Sequence, residues 1–264
     1  MRSTIFGLSA LAIAAATAAP AFAEDAPASD ITVTGGATVV TDYRFRGLSQ
    51  TDKKFAVQGT FTVAHSSGFY GTVWGSSIDD YIATTNGKSS DQEIDLILGY
   101  TKTFDAITVD GGVLYYYYPG SGGGTTDFFE PYLSVKGTFG PATVKVGAAY
   151  APKQAGIGLT FFDGEDSTVF KKEDNLYLYG EVGGGLGDTG ISLLGHLGYS
   201  KGRSFLTGGF KSYLDWNIGA SYTWNHLTFG IQYVDTDAKK GDYFSGDGSN
   251  IAKAGVVGSI GVAF

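Results

Sequence analysis

The sequence predicts an all-β protein: a transmembrane antiparallel up-and-down β-barrel of about 12 strands. Three observations predict it. Apolar and polar residues alternate with a period of two from Ile31 onward, which sends them to opposite faces of a strand. Short and long connections between these stretches follow one another alternately along the chain. The 264-residue chain is also rich in Gly (41), Tyr (17) and Phe (18), with only 17% charged residues.

Composition excludes several classes of protein. The chain has no Cys, which excludes a disulfide scaffold, a thiolate metal site and a cysteine nucleophile. Its net charge is −8 and no basic stripe is visible, so nucleic acid is not expected as a partner. No run after residue 23 is long and apolar enough for a membrane helix.

Residues 1–23 have the pattern of a secretory signal peptide. Arg2 supplies the positive charge, residues 5–19 form an apolar stretch, and Ala21-Phe22-Ala23 is a small-residue cleavage site. We therefore expect export through the inner membrane and location in the outer membrane of a Gram-negative bacterium. Residues 24–30 are expected to be a short periplasmic N-terminal segment, and residues 31–264 the barrel.

The alternation is clearest in two late segments. Leu214, Trp216 and Ile218 alternate with Asp215 and Asn217, and the last segment alternates in the same way up to Phe264. A helix would mix the two sets on one surface, whereas a strand separates them. Counting such segments predicts strands near 31–46, 55–65, 69–78, 91–102, 107–118, 127–139, 142–151, 174–184, 189–200, 211–224, 227–235 and 252–264; ten or fourteen strands stay open as alternatives.

The connections set the orientation of the predicted barrel. Short turns, such as 66–68 and 225–226, are expected on the periplasmic side, and the long segments on the outside. A soluble β-sandwich also alternates, but aromatic residues near the strand ends favour the barrel, because such rings occupy the membrane interfaces. The predicted aromatic girdle consists of Tyr115, Tyr117, Tyr199, Trp216, Trp224, Tyr233 and Phe264.

With the apolar face turned to lipid, the inward face carries the charges. Arg44 and Arg46, placed on the first strand, would face Glu93, Asp95 and Asp110 across a constriction and filter solutes by their field. Alternatively, the charges form paired struts that prop the barrel and leave little passage. The predicted pore-lining residues are Asp42, Arg44, Arg46, Glu93, Asp95, Asp110, Glu130, Lys136, Lys145, Glu181 and Asp215.

Several segments resemble a known family. Residues 41–52 (TDYRFRGLSQTD) resemble the opening motif of the TorF-like family of proteobacterial outer-membrane porins, and 115–120 (YYYYPG) and 215–219 (DWNIG) match the same family. The similarity runs through most of the chain after residue 23. It implies an outer-membrane barrel that conducts small solutes, and it says more about the fold than about the solute.

The function expected from these observations is passive diffusion of small hydrophilic solutes or ions through a narrow, charged lumen. The alternative is a structural or adhesion-type barrel with a plugged lumen that acts through its loops. A barrel hydrolase built on His196 is a minor third interpretation, because no G-x-S-x-G elbow accompanies the histidine. No enzyme activity, cofactor or metal is expected.

The expected partners are membrane components. They are outer-membrane lipid, the barrel-insertion machinery, which reads a C-terminal aromatic residue, and lipopolysaccharide, whose phosphates attract cations. The lysines proposed for the lipopolysaccharide contact are Lys171, Lys172, Lys239 and Lys240. Acidic loop clusters at 163–166 and 235–237 offer at most loose calcium ligation.

Overall fold

The computed structural model describes residues 30–80, 84–85, 88–121, 126–162, 168–238 and 249–264. The predicted signal peptide and nearly all of the predicted periplasmic segment lie outside the described residues, so both stay predictions. Within the described part of the chain, no helix is long and apolar enough to cross a membrane.

The described residues form a closed barrel of twelve antiparallel strands, as predicted. Each strand pairs with its neighbours in the chain, and the first and last strands close the barrel through pairs such as Gly36 with Ala263. The strands are β1 (Ile31–Val40), β2 (Ala56–His65), β3 (Phe69–Ser77), β4 (Gln92–Phe104), β5 (Ile107–Tyr117), β6 (Phe128–Phe139), β7 (Ala142–Phe162), β8 (Thr168–Gly185), β9 (Ile191–Lys201), β10 (Ser212–Trp224), β11 (Leu227–Thr236) and β12 (Gly255–Ala263).

Three smaller elements lie at the end of the barrel that carries the long loops, which we call the long-loop end. Arg44–Phe45 pairs with Leu48–Ser49, and Thr84–Thr85 pairs with Lys88–Ser89. A single turn of 3-10 helix spans Phe205–Thr207. The opposite end, with the tight turns and both barrel termini, is the short-turn end.

Two predicted boundaries are wrong. The first strand ends at Val40 and not at 46, because residues 41–54 leave the wall of the barrel. The described parts of the predicted loop 152–173, residues 152–162 and 168–173, instead continue strands β7 and β8, and Gln154 pairs with Glu173 and Leu159 with Lys171. Register irregularities on both sides of Gln154 break the period of two, and Pro152 has no N–H to donate, so alternation could not reveal these strand residues.

The outward face of the barrel is apolar and exposed. Leu98 is 74% exposed and Ile218 68%, although both lie within strands. Aromatic side chains on this face gather towards the two ends of the barrel, with Tyr115, Tyr117, Tyr199, Trp216 and Tyr233 nearer the long-loop end and Trp224 and Phe264 at the short-turn end. The predicted girdle residues therefore all face outward, as a bilayer interface requires.

The outward and inward faces of a strand should respond differently to the same charged substitution. Thr60 and Phe61 are neighbours in the middle of β2; Thr60 faces the lumen and Phe61, 48% exposed, faces outward. We expect Phe61→Lys to lower the free energy of unfolding in lipid vesicles by about 2–4 kcal/mol, the cost of a lysine at mid-bilayer. Thr60→Lys, the matched control, should change it little. Equal effects in reversible urea titrations would contradict the orientation of β2.

Candidate functional site: the inward segment and the lumen

Residues 41–54, here called the inward segment, fold from the end of β1 into the lumen. Phe45 and Leu48 pair across a two-residue turn formed by Arg46 and Gly47. Both turn residues have positive φ, +48° and +80°, which is the geometry of the tight hairpin turns that favour glycine at the second position. The turn places Arg46 at the tip of the segment, inside the barrel.

Arg46 joins the tip of the inward segment to the opposite wall. Its Nη2 donates to both carboxylate oxygens of Glu130 on β6, at 2.7 Å each, and its Nη1 donates to Asn175 Oδ1 on β8 at 3.0 Å. The guanidinium carbon lies 4.1 Å from the ring centroid of Tyr177, a cation–π contact. Tyr213 Oη on β10 donates to the Arg46 carbonyl oxygen at 3.0 Å. Three wall strands thus hold one residue.

Arg44 and Asp42 hold the base of the segment together. Arg44 Nε donates to Asp42 Oδ2 at 2.6 Å, and both side chains are buried. Arg44 Nη1 also donates to the carbonyl oxygens of Gly47, Ile251 and Lys253. The pair therefore ties the segment to the chain just before β12, and a buried charge pair with further hydrogen bonds is far more stable than either charge alone.

Tyr43 connects the segment to β4. Its hydroxyl donates to Glu93 Oε1 at 2.6 Å, while Tyr118 Oη donates to Glu93 Oε2 at 2.8 Å. The Tyr43 ring lies 5.4 Å from the ring of Trp74. Asp95, two residues further along β4, faces the lumen on the same side as Glu93 and is buried.

The long-loop end carries a cover above the inward segment. Ile157, on the extended part of β7, is fully buried in a cluster with Tyr116, Phe128 and Leu206. Leu206 belongs to the 3-10 turn, and Ser204 just before it accepts a hydrogen bond from Asn175 Nδ2. Ile157 and this turn therefore pack over the barrel mouth at the long-loop end.

Side chains fill the lumen at the level of the inward segment. Every one of the twelve strands contributes a buried inward residue at the filled level: Val40, Ala56, Ser76, Glu93, Tyr116, Glu130, Ala151, Asn175, Ser200, Asp215, Val234 and Val257. Closer to the short-turn end the inward residues are mixed: Thr62, Tyr70, Asp110, Lys136 and Glu181 are half-buried, whereas Tyr132, Lys145, Tyr179 and Thr228 are buried. We call this part the vestibule.

A second polar cluster lines the wall next to the vestibule. Lys145 Nζ lies 3.0 Å from Glu181 Oε2, and His196 lies between Glu181 and Asp215, at 3.6 and 3.2 Å. His196 Nε2 also lies 2.9 Å from Tyr177 Oη. The histidine thus contacts two carboxylates and a tyrosine. A hydrolase triad would instead place a nucleophile such as serine beside the histidine.

The eleven residues predicted to line the pore all lie inside the barrel, but not as expected. Asp42, Arg44 and Arg46 belong to the inward segment and not to the first strand. The predicted field between Arg44, Arg46 and the acids of β4 and β5 is wrong, because Arg44 pairs with Asp42 and Arg46 with Glu130. The other eight stay on the inward faces of β4 (Glu93, Asp95), β5 (Asp110), β6 (Glu130, Lys136), β7 (Lys145), β8 (Glu181) and β10 (Asp215).

Sequence reasoning missed the residues that receive the inward segment. Asn175, Tyr177 and Tyr213 hold Arg46, yet nothing in the sequence marks them among many inward polar residues. The segment itself had a signal: Arg46-Gly47 between Phe45 and Leu48 has the form of a tight hairpin turn. Period-two spacing of Asp42, Arg44 and Arg46 concealed it.

The other predicted sites have simple positions. Lys171 and Lys172 are exposed on the extended part of β8, whereas Lys239, Lys240 and the cluster at 163–166 lie outside the described residues. Asp235 accepts a hydrogen bond from Tyr233 Oη, and Asp237 accepts one from the Leu214 N–H. The described residues contain no group of three or more metal-ligating side chains.

A closed twelve-stranded barrel with an apolar outer face and a polar interior has the fold of the outer-membrane porins. The NanC porin superposes with a TM-score of 0.57 at 12% identity, over 88% of this chain and 99% of that one. The KdgM porin gives 0.50 at 9% identity over 88% and 98%. The same porin in complex with disordered oligogalacturonate gives 0.51, also at 9% identity, over 88% and 98%. At such low identity these similarities show the fold.

The chain belongs to the Gcw_chp family of bacterial proteins of unknown function, which matches residues 24–264. No curated protein matches the sequence. The closed barrel and its similarity to solved porins confirm the predicted architecture, whereas the resemblance to TorF-like porins stays a prediction.

Proposed function

We propose that the protein is a porin-like channel of the outer membrane in which the inward segment forms the constriction. The observation that carries this proposal is how the constriction is attached. Within the described residues it consists of a chain segment held in the lumen by a buried ion pair, hydrogen bonds and one cation–π contact, outside the β-ladder of the wall. Such a segment can move without opening the barrel.

The polar character of the lumen supports a conducting function. A barrel that serves only as a scaffold can fill its interior with apolar side chains, yet here Glu93, Glu130 and Arg46 are buried at the constriction. The half-buried polar residues of the vestibule lie towards the short-turn end, which we assign to the periplasm. Small hydrophilic solutes or ions are the solutes that fit this lumen, and the resemblance to TorF-like porins agrees with this proposal.

The second candidate is a structural barrel with a plugged lumen that acts through its outer loops. Burial of an inward residue on each of the twelve strands favours it, since side chains then fill the whole cross-section at one level. An enzymatic function is not proposed, because the partners of His196 in the described residues are Tyr177, Glu181 and Asp215. Lipid, the insertion machinery and lipopolysaccharide, bound through Lys171 and Lys172, remain the proposed partners.

Conductance distinguishes the two candidates. We expect purified protein in planar bilayers to give small, discrete conductance steps, and proteoliposomes to swell in small sugars. The steps should become larger when the inward segment is released by substitution. If neither the wild-type protein nor a released variant conducts or supports swelling, while urea titration shows a folded barrel, the plugged scaffold is the better description.

A further inference from the structure

Asp95 is a buried carboxylate that lacks the partners its neighbours have. It is 7% exposed, and its Oδ1 accepts no hydrogen bond within the described residues. Of the two nearby carboxylates, Glu130 is paired with Arg46, and Glu93 accepts hydrogen bonds from two tyrosine hydroxyls. An ionised group in a low-dielectric interior is costly unless a counter-charge is present. A cation bound beside Asp95 would supply the counter-charge that the described residues do not provide.

The surroundings of Asp95 are aromatic. In the barrel register its neighbours are Trp74 on β3 and Tyr116 on β5, and both rings face the lumen. Tyr43 of the inward segment closes the arrangement from above, with its ring 5.4 Å from that of Trp74. Aromatic faces attract cations through their quadrupole, most strongly where water is excluded. A carboxylate between such rings has the chemistry that recognises an ammonium group.

Asp95 lies where the inward residues of β4 change from buried to half-buried. Along β4 the inward residues below it, Ile97, Gly99 and Thr101, are half-buried, in contrast to Glu93 and Asp95. Thr62 and Thr72 share a hydroxyl hydrogen bond of 2.7 Å on the adjacent wall. Asp95 thus borders the half-buried part of the β4 wall, and a ligand would approach it from this side.

We propose that Asp95, with Glu93 behind it and Trp74, Tyr116 and Tyr43 around it, binds a small organic cation with a singly charged ammonium group. A divalent metal fits less well, because hard cations require six or more oxygen ligands and the described residues hold no group of three metal-ligating side chains here. The inference deepens the proposed function, on which its role rests: it makes small cationic solutes the substrate class of the channel.

Binding can be measured without transport. The chain has only three tryptophans, so W216F/W224F leaves Trp74 as the single fluorophore, beside Asp95. Methylammonium chloride is titrated into this protein in detergent at pH 7, with sodium chloride keeping ionic strength constant. We expect a saturable change in Trp74 emission. Asp95→Asn in the same background should weaken the apparent affinity about tenfold or more, because it removes a charge-assisted contact.

The matched control removes the same charge elsewhere. Asp188→Asn alters an exposed carboxylate in the turn after β8 and should leave the titration unchanged. A response that does not saturate, or one that is equal in Asp95→Asn and wild type, overturns the site. If binding saturates but the protein never conducts, the proposed site at Asp95 stands and the proposed channel function is rejected. Conductance without saturable binding retains the channel and overturns the site.

Discussion

Replacing Glu130 with alanine should release the inward segment from the wall. The substitution leaves the guanidinium of Arg46 buried without its carboxylate, and breaking a buried ion pair from one side costs about 3–5 kcal/mol. Arg46 would retain only Asn175 as a side-chain hydrogen-bond acceptor within the described residues. Moving Arg46 into water relieves this cost, so the segment should leave its place and the conductance steps should grow.

Arginine labelling reports this movement directly. After residue 23 the sequence contains only three arginines, Arg44, Arg46 and Arg203. The first two are buried in the wild-type protein, whereas Arg203 is exposed in the loop after β9. Phenylglyoxal followed by peptide mass spectrometry should modify Arg203 alone in the wild type and all three in Glu130→Ala. Arg203 therefore serves as an internal standard for reagent activity.

A double variant separates loss of the pair from loss of one charge. R46M/E130L removes both charges and leaves an apolar contact of similar size, which is often neutral or stabilising in a buried site. We expect Arg44 to remain protected in this variant and conductance to stay near the wild-type value. If Glu130→Ala labels and conducts like the wild type, the ion pair does not hold the segment.

The sequence was sufficient for the barrel because the barrel depends on a repeated local pattern. Alternation marked each of the twelve strands, since lipid contact on one face and a polar lumen on the other set the period of two. It failed where that cause is absent. Residues 41–46 continue the alternation only in their spacing. Arg44 and Arg46 are placed by ion pairs with Asp42 and Glu130 and by hydrogen bonds to carbonyl groups, and no boundary between lipid and lumen runs along this segment.

The site was less predictable than the fold for a physical reason. Inward polar residues could be identified on every strand, but which of them meet depends on how a segment with no ladder partner in the wall crosses the lumen. Glu130 lies 84 positions from Arg46 in the chain, and no local pattern links the two. The same limit applies to Asp95. It differs from the other inward carboxylates because its Oδ1 accepts no hydrogen bond within the described residues, and the residue type alone does not reveal this.

Substituting Gly47 should release the same segment by a steric route. Gly47 has φ of +80° and fits tightly against β10 and β11: a Cβ atom there would contact Thr236 Cγ2 and lie 2.9 Å from Asp215 Cβ. Gly47→Ala therefore adds overpacking, about 1–3 kcal/mol, to the strain of a left-handed alanine. Since Asp215 Cβ is fixed close to the wall backbone, the tip of the segment has to move, and phenylglyoxal should then reach Arg44 and Arg46.

Gly187→Ala is the matched control for backbone strain. Gly187 also has positive φ, +57°, in the turn after β8, but an added Cβ there has nothing within 4 Å. It therefore incurs the left-handed strain, about 1–2 kcal/mol, without the clash. If both alanine variants protect Arg46 equally and conduct alike, tight docking of the tip does not close the lumen.

If Gly47→Ala matches Glu130→Ala in labelling and conductance, removal of a charge and addition of a methyl group act through one event, the departure of the segment. This agreement would identify segment movement as the step that opens the channel, because the two substitutions lie on different elements, β6 and the inward segment.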